Sequence, residues 1–458
     1  MARRPRHSVA PVVVDLFAGA GGLSLGFQQA GYRVALGVDS LQAATRTYEA
    51  NLAGAKALCC DVRKLSGKDI LTLVGGEVHA LIGGPSCQGF STSGGLSRER
   101  GRDLFDPRNS LFTDYMRLVR ELRPAWVLFE NVPGMLLYHH GAVASTIITD
   151  FLEIGYEVAP IILLAADYGV PQLRRRLFFI GNRTSQPIFA PAATHGSSTL
   201  WRNYALPFAH LSRVGHTTTG DTEPHVTFDS ACDDLPALAE AEAIDGVPYP
   251  REPSSAFQRE MRQNSSSLRQ HMAFRLSAND RLAARLLKPG ENWRSLSPET
   301  LPRRFRSIRP YDATTMLRRL TGDRPAYTIT TKFNEATTGA FIHPRDNRTL
   351  SVREAARLQS FPDEFLFLGS DSEIRFQVGN AVPPMLGRAL AEALLPLIAH
   401  DVAGAALQPL RASIQLDYAT QREMIGLRGA RKHTKDYRRD TGQPGLYDGA
   451  LAANDPAA

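Results

Sequence analysis

"DLFAGAGGLSLGF", residues 15–27, runs from the end of an apolar strand through a glycine turn into the start of a helix. Glycines there let backbone amides approach a ligand closely, and the free amides of a helix start attract it. A dinucleotide site asks for a third glycine in the pattern G-x-G-x-x-G, but after Gly19 and Gly21 that place is held by Ser24. An NAD enzyme is thereby disfavoured. Asp39 ends the next strand twenty residues beyond Gly19, about where a carboxylate holds ribose hydroxyls. A nucleoside without a pyrophosphate satisfies both observations, and S-adenosylmethionine is the leading candidate. Asp61, at a third strand end in "CCDV", reads equally as an adenine contact and as a helix cap.

The same strand-then-helix rhythm continues from Val12 to about Asn182. Strand candidates are "VVVDLFAG", "RVALGVD", "KALCCDV", "HALIGG", "AWVLFENV", "YEVAPIILLAADYG" and "LFFIGN", with amphipathic helices between most of them. Parallel neighbours need crossovers, so the alternation predicts an α/β fold: a doubly wound, mostly parallel sheet with helices on both faces. Ligands of such sheets bind beyond the carboxyl ends of the strands. Residues 10–182 are expected to form this catalytic and cofactor-binding domain. From 183 to 343 the rhythm dissolves into a stretch rich in Ser, Thr, Pro and Arg, read as a second, smaller domain, with one clear helix in "SANDRLAARLLKPG". Residues 344–402 return to the first domain through a capped helix in "TLSVREAARLQSFPD", a turn in "QVGNAVPP" and an amphipathic helix in "MLGRALAEALLPLIAH". Residues 403–458 read as a polar, basic, poorly packed tail.

Composition narrows the class. The chain of 458 residues has only four cysteines, at 59, 60, 87 and 232, too few for a disulfide scaffold and without metal-ligand spacing. No metal is expected, and a reducing, cytoplasmic setting is. No apolar run approaches the eighteen or so residues that span a bilayer, so no membrane partner is expected. The formal net charge of +7 is compatible with a polyanion, and arginines crowd "LPRRFRSIRP" (301–310) and "MLRRLTGDR" (316–324), each of which alone reads as a solvated basic face.

"IGGPSCQGFS" (82–91) sets Cys87 among turn-forming residues just past a strand, where a nucleophile can reach solvent and free amides favour its thiolate. Cys59 and Cys60, inside an apolar strand, are read as inert. Glu130 ends the strand "AWVLFEN", and a carboxylic acid in a confined site there can protonate a ring nitrogen, whereas an ion pair is its bland reading. In "QLRRRLFFIG" (172–181), Arg174 and Arg176 alternate onto one face, to fix an oxygen or phosphate or simply to carry surface charge.

Taken in order, "DLFAGAGG", "GGPSCQGFS", "ENVPG", "QLRRR", "VREAARLQSFPD" and "QVGNAVPP" resemble the motifs of the DNA (cytosine-5) methyltransferase family, over nearly the whole chain except the middle region and the tail. The resemblance implies a Rossmann-like, S-adenosylmethionine-dependent methyltransferase fold. It implies Cys87 as nucleophile, Glu130 as the acid at cytosine N3, and Arg174 and Arg176 as contacts to the base and catalytic loop. It also implies that Phe17, Gly19, Gly21, Asp39, Asp61 and Asn380 lie in or near the cofactor site, and that 183–343 is the target-recognition region. The partner would be double-stranded DNA, entered as a flipped cytosine, with a restriction endonuclease as functional counterpart unless the enzyme is an orphan, and the chain acting as a monomer. Two departures stand out: Ser86 replaces a proline before the cysteine, and Cys60 a glycine before Asp61. Competing readings are a transfer-RNA cytosine-5 methyltransferase, a non-catalytic DNA-binding relative, and, last, a small-molecule methyltransferase.

Overall fold

The computed structural model describes residues 10–85, 110–136, 142–196, 214–215, 222–308 and 313–400. Cys87, Ser86 and the tail lie outside the described residues. Seven strands form the central sheet: β1 (Val12–Leu16), β2 (Arg33–Asp39), β3 (Lys56–Cys59), β4 (Ala80–Gly83), β5 (Trp126–Asn131), β6 (Glu157–Leu164) and, after a two-residue β7 (Gln172–Leu173), β8 (Arg175–Asn182). Their order is β3-β2-β1-β4-β5-β8-β6. All neighbours are parallel except β8, which runs antiparallel to both β5 and β6. The reversal follows from the connection: only a 3₁₀ turn and β7 separate β6 from β8, with no helix to carry the chain back across the sheet.

Helices cover both faces, and the alternation of each strand divides the core in two. Val13, Ile82, Leu128 and Phe178 face α1 (Gly22–Gln29), α2 (Gln42–Asn51) and, from far along the chain, α11 (Pro384–His400). Val14, Leu81, Val127, Phe129 and Phe179 face α3 (Gly67–Val74), α4 (Ser110–Leu122) and α5 (Ala142–Glu153). α3 has no counterpart among the sequence expectations. It is set by a capping box between Ser66 and Asp69 and ended by Gly75 at φ 73°. Gly26 lets α11 lie directly on α1, since a Cβ there would fall 2.5 Å from the Pro384 carbonyl oxygen. The stretch Asp371–Ile398 has the length and hydropathy of a membrane span, which the sequence reading did not expect. Two helices share it, α10 (Asp371–Asn380) and α11, and half of it is buried within the fold.

Between β8 and α10 lie α6 (Phe228–Cys232), α7 (Ala256–Met261), α8 (Ala278–Leu286) and α9 (Val352–Leu358). Packing does not follow the expected boundary at 343/344. Phe228, Cys232, Phe257 and Met261 share a core with α9 and α11, while Leu276, Trp293, Phe305, Leu317 and Ile342 close a separate small core. α9 is pinned by charge. Arg357 donates to both Asp363 carboxylate oxygens, at 2.9 and 2.6 Å, and pairs with Asp234, all three side chains being fully buried. Arg348 spans Glu354 and Asp346 at 2.7 Å each. The expected turn in "QVGNAVPP" is corrected in its first half: Gln377 to Asn380 are the last turn of α10. Gly379 serves close approach there, because any Cβ would strike the Thr331 backbone.

Candidate active site

Beyond β1 the backbone takes three left-handed residues within five positions, Phe17 at φ 60°, Gly19 at 55° and Gly21 at 91°. A left-handed phenylalanine is unusual, and it persists because the surroundings hold it. Gly19 N–H donates to Asp39 Oδ2 at 2.9 Å and Leu41 N–H to Oδ1 at 2.8 Å, so the carboxylate ending β2 fastens the turn after β1. Burial raises the Asp39 carboxyl, and the amides of Leu41, Gly19 and Ser40 oppose that rise. A Cβ on Gly19 would meet nothing within 4 Å, whereas one on Gly21 would fall 2.7 Å from both Tyr48 and Leu52. Gly19 is required by its backbone angle, Gly21 by space as well.

Phe17, Asp39 and Asp61 meet around a cavity of about 190 Å³, completed by Val38, Ser40, Cys60, Val62, Arg63 and Leu111. An aromatic ring, two carboxylates at adjacent strand ends and apolar Val38, Val62 and Leu111 are the surroundings a nucleoside needs, stacking and hydrogen bonding together. The cap reading of Asp61 holds, since its Oδ1 accepts from Arg63 N–H at 3.0 Å as the cap of a 3₁₀ turn, and the residue also lines the cavity. The Arg63 side chain holds the Asp61 carboxyl down at about 2. Cys59, read as lying inside an apolar strand, is exposed, because β3 ends there at the sheet's outer edge. Cys60 forms part of the cavity wall, its thiol pushed up by burial and thus poorly ionised. Asn380 lies off this cavity lining, exposed at the end of α10, two residues before Val382, whose carbonyl packs against Gly22. The sequence reading missed Arg63 and Leu111; Arg63, two residues after Asp61, was the available signal.

Two strands along, Glu130 Oε1 receives a 2.7 Å ion pair from Arg176 Nε, with both side chains largely shielded from solvent. The other carboxylate oxygen would lie 3.0 Å from a Cβ on Gly84, so it abuts the segment that leads through Pro85 to Cys87. Burial raises the Glu130 carboxyl against the pull of Arg176 and Arg174. Arg174 is placed otherwise than expected. It is 0% exposed, and instead of facing a ligand it donates to the carbonyls of Ile329 at 2.7 Å, Gly379 at 2.9 Å and Ala381 at 3.0 Å. Its neighbour Gln172, which the sequence reading passed over, accepts from Ile329 N–H at 2.8 Å and donates to Leu358 O and Gln359 Oε1, each at 2.9 Å. Ala326–Tyr327 pairs in parallel with β7, so the middle region is stitched to the short strand just before β8, which carries Arg176.

A family model described as C-5 cytosine-specific DNA methylase matches residues 12–395. The type II methyltransferase M.DdeI of Desulfomicrobium norvegicum is 34% identical over 406 residues, covering 83% of this chain and 87% of the relative. The type II methyltransferase M.AgeI of Thalassovita gelatinovora is 33% identical over 432 residues, covering 83% and 98%. Among solved structures, a prophage-encoded protein of E. coli described as a DNA modification methyltransferase superposes with a TM-score of 0.63 at 24% identity, over 85% of this chain and 99% of that one.

Proposed function

From the premise that the chain belongs to the C-5 cytosine-specific DNA methylase family, we propose how its residues divide the work of that family's reaction. The enzyme is a DNA (cytosine-5) methyltransferase of Rossmann-like fold, and S-adenosylmethionine supplies an electrophilic methyl group when bound. The cavity beside Phe17, Asp39 and Asp61 holds its nucleoside: Phe17 offers a ring face, Asp39 a carboxylate for the ribose hydroxyls, and Asp61 one for the adenine amino group. Gly19 and Gly21 shape the turn, and Asn380 lies on the segment that packs behind it.

Cytosine C5 is a poor nucleophile, so the ring must first be activated. Cys87 attacks C6 as a thiolate while Glu130 delivers a proton to N3, leaving an enamine whose C5 takes the methyl group. Loss of the C5 proton to a base then expels the thiol. A base inside a duplex offers no access to C6, so the target cytosine is flipped out. Arg176 orients Glu130 and keeps it beside the strand end that leads to Cys87. Arg174 acts one step back, holding carbonyls of the middle region and of the segment behind the cofactor turn.

The observation that carries this reading is the Glu130–Arg176 pair lying against Gly84, three residues before Cys87, which the sequence sets among turn-forming residues. Residues 183–343 serve as the target-recognition region, a restriction endonuclease is the functional counterpart, and the chain works as a monomer in the cytoplasm. Support for the counterpart is that the relatives are type II methyltransferases. The test is methyl transfer from tritiated S-adenosylmethionine to duplex DNA, with hydrolysis to 5-methylcytosine. Label in transfer RNA and not in DNA would overturn the assignment of duplex DNA as the substrate.

A further inference from the structure

Beneath the cofactor turn, Asp15 of β1 is 2% exposed and takes part in no step above. Its Oδ2 accepts a 2.7 Å hydrogen bond from the Ser24 hydroxyl of α1, and Ser24 Oγ lies 2.8 Å from the Tyr48 hydroxyl of α2. Ser24 has one proton, already donated to Asp15, so Tyr48 is the donor to Ser24. The Tyr48 ring in turn lies under two glycines: a Cβ on Gly21 would fall 2.7 Å from ring Cδ2, and one on Gly37 would collide with the ring. Three side chains thus link the strand to the underside of Gly21, the left-handed residue that opens α1.

The chain is complete only with an anion at its end. Ionised, it has two hydroxyl hydrogens for two bonds. A proton on Asp15 makes three hydrogens for the same two bonds, so one loses its place in the chain, which is costly in the interior. Asp39 faces the carboxyl from β2, Tyr48 from α2 and Tyr115 from α4; Asp39 opposes its ionisation, and the two phenols are themselves raised by burial, so they stay protonated. Burial, with Asp39 adding to it and Ser24 opposing, pushes the Asp15 carboxyl up to about 7.

We propose that Asp15, acting through Ser24 and Tyr48, is a positioning residue for the cofactor turn, which it holds in its ligand-binding shape only when ionised. This rests on reading the adjoining cavity as the nucleoside site. Because folding raises the carboxyl above its ordinary value, Asp15 favours the fold at low pH and that contribution is lost as pH rises toward neutrality. A ligand that selects the ionised form works the other way. Binding releases a proton near neutrality, and affinity falls about tenfold per pH unit below the folded value.

The experiment titrates the full chain with 5′-methylthioadenosine, a nucleoside with no group ionising near neutrality, between pH 8 and 6, by calorimetry in two buffers of different protonation enthalpy. Wild type should lose affinity toward pH 6 and release a proton on binding. Asp15→Asn should bind weakly at every pH, release none, and melt at pH 8 no lower than wild type, a separation that a purely structural residue does not produce. An Asp15→Asn protein with the wild-type pH profile and proton release would overturn the proposal. Tyr48→Phe keeps the carboxyl but cuts the second bond, so its midpoint should move upward, and an unmoved midpoint counts equally against it. That variant decides the matter if Asp15→Asn does not fold. Phe17→Ala tests the cavity separately: it should lose the nucleoside at all pH values, and undiminished binding would overturn the cavity assignment whatever Asp15 does.

Discussion

Glu130 is held between burial, which raises its carboxyl, and the two guanidinium groups that lower it, and burial prevails. An acid acting on a ring nitrogen needs its proton, so as pH rises through the raised value the protonated fraction falls and attack by Cys87 slows on the alkaline side. With DNA carrying 5-fluorocytosine, which has no removable C5 proton, Glu130→Gln should form the denaturant-resistant adduct about a hundred- to ten-thousand-fold more slowly and lose that alkaline limb. Equal adduct rates with a lowered Tm would make Glu130 a structural carboxylate. Cys87→Ser should abolish methyl transfer while cofactor binding and Tm persist, because a hydroxyl is the weaker nucleophile at neutral pH; turnover at the native rate would end the covalent route. The sequence sets Cys87 among turn-forming residues beyond β4, outside the described residues, and Glu130 stands one residue before the end of β5, where its strand pattern puts it. Arg174 was legible only in part. Alternation puts it on the same side as Arg176, and both do act on Glu130, but periodicity cannot say which carbonyls from residues 329, 379 and 381 close over it.

Elements were read well where apolar alternation is strong and poorly where tertiary approach decides. All seven strands of the sheet were expected, yet the antiparallel run of β8 was not, because a strand's composition carries no direction. α3 escaped because its apolar run "ILTLV" is short and sits between polar stretches. The residues "QVGN" suggested a turn through their glycine, whose actual use is to admit the Thr331 backbone. Two element-scale outcomes follow from such close contacts. Arg174→Met leaves three carbonyls without their donor, and chemical denaturation should register a loss on the order of 3 kcal/mol, from buried acceptors left unpaired. Gly26→Val forces α1 and α11 apart and should cost about 1–3 kcal/mol by overpacking, with weaker cofactor binding because α1 begins at the cofactor turn. An unchanged unfolding midpoint for Gly26→Val would mean that the helices do not pack as closely as described.

At the scale of the whole molecule, the middle region is held by a charged seam that its sequence did not announce, since "VREAARLQSFPD" reads as an ordinary capped helix while its arginines point into the protein. Despite burial, Arg357 keeps the Asp363 carboxyl below its usual range, and Arg348 does the same for Glu354. Stability from depressed carboxyls is present above their unfolded values and is lost as pH falls through the folded ones, so the seam should survive to roughly pH 4 and open only in stronger acid. Limited proteolysis against pH measures this. Arg357→Leu should open it at neutral pH, costing about 3–5 kcal/mol, because Asp234 and Asp363 are left as unpaired buried charges. Exchanging residues 183–343 with a relative of other specificity should move the methylated sequence, provided the donor supplies a carboxylate at the place of Asp234; an active chimera that keeps its old target would locate recognition elsewhere. The small core around Trp293 and Phe305 is sealed off from the sheet, yet it carries Arg303, Arg304 and Arg306 on its exposed surface. Under the proposed division of labour, that separation would let the arginine-bearing surface change without disturbing the sheet, so what is marked and how it is marked could be altered separately.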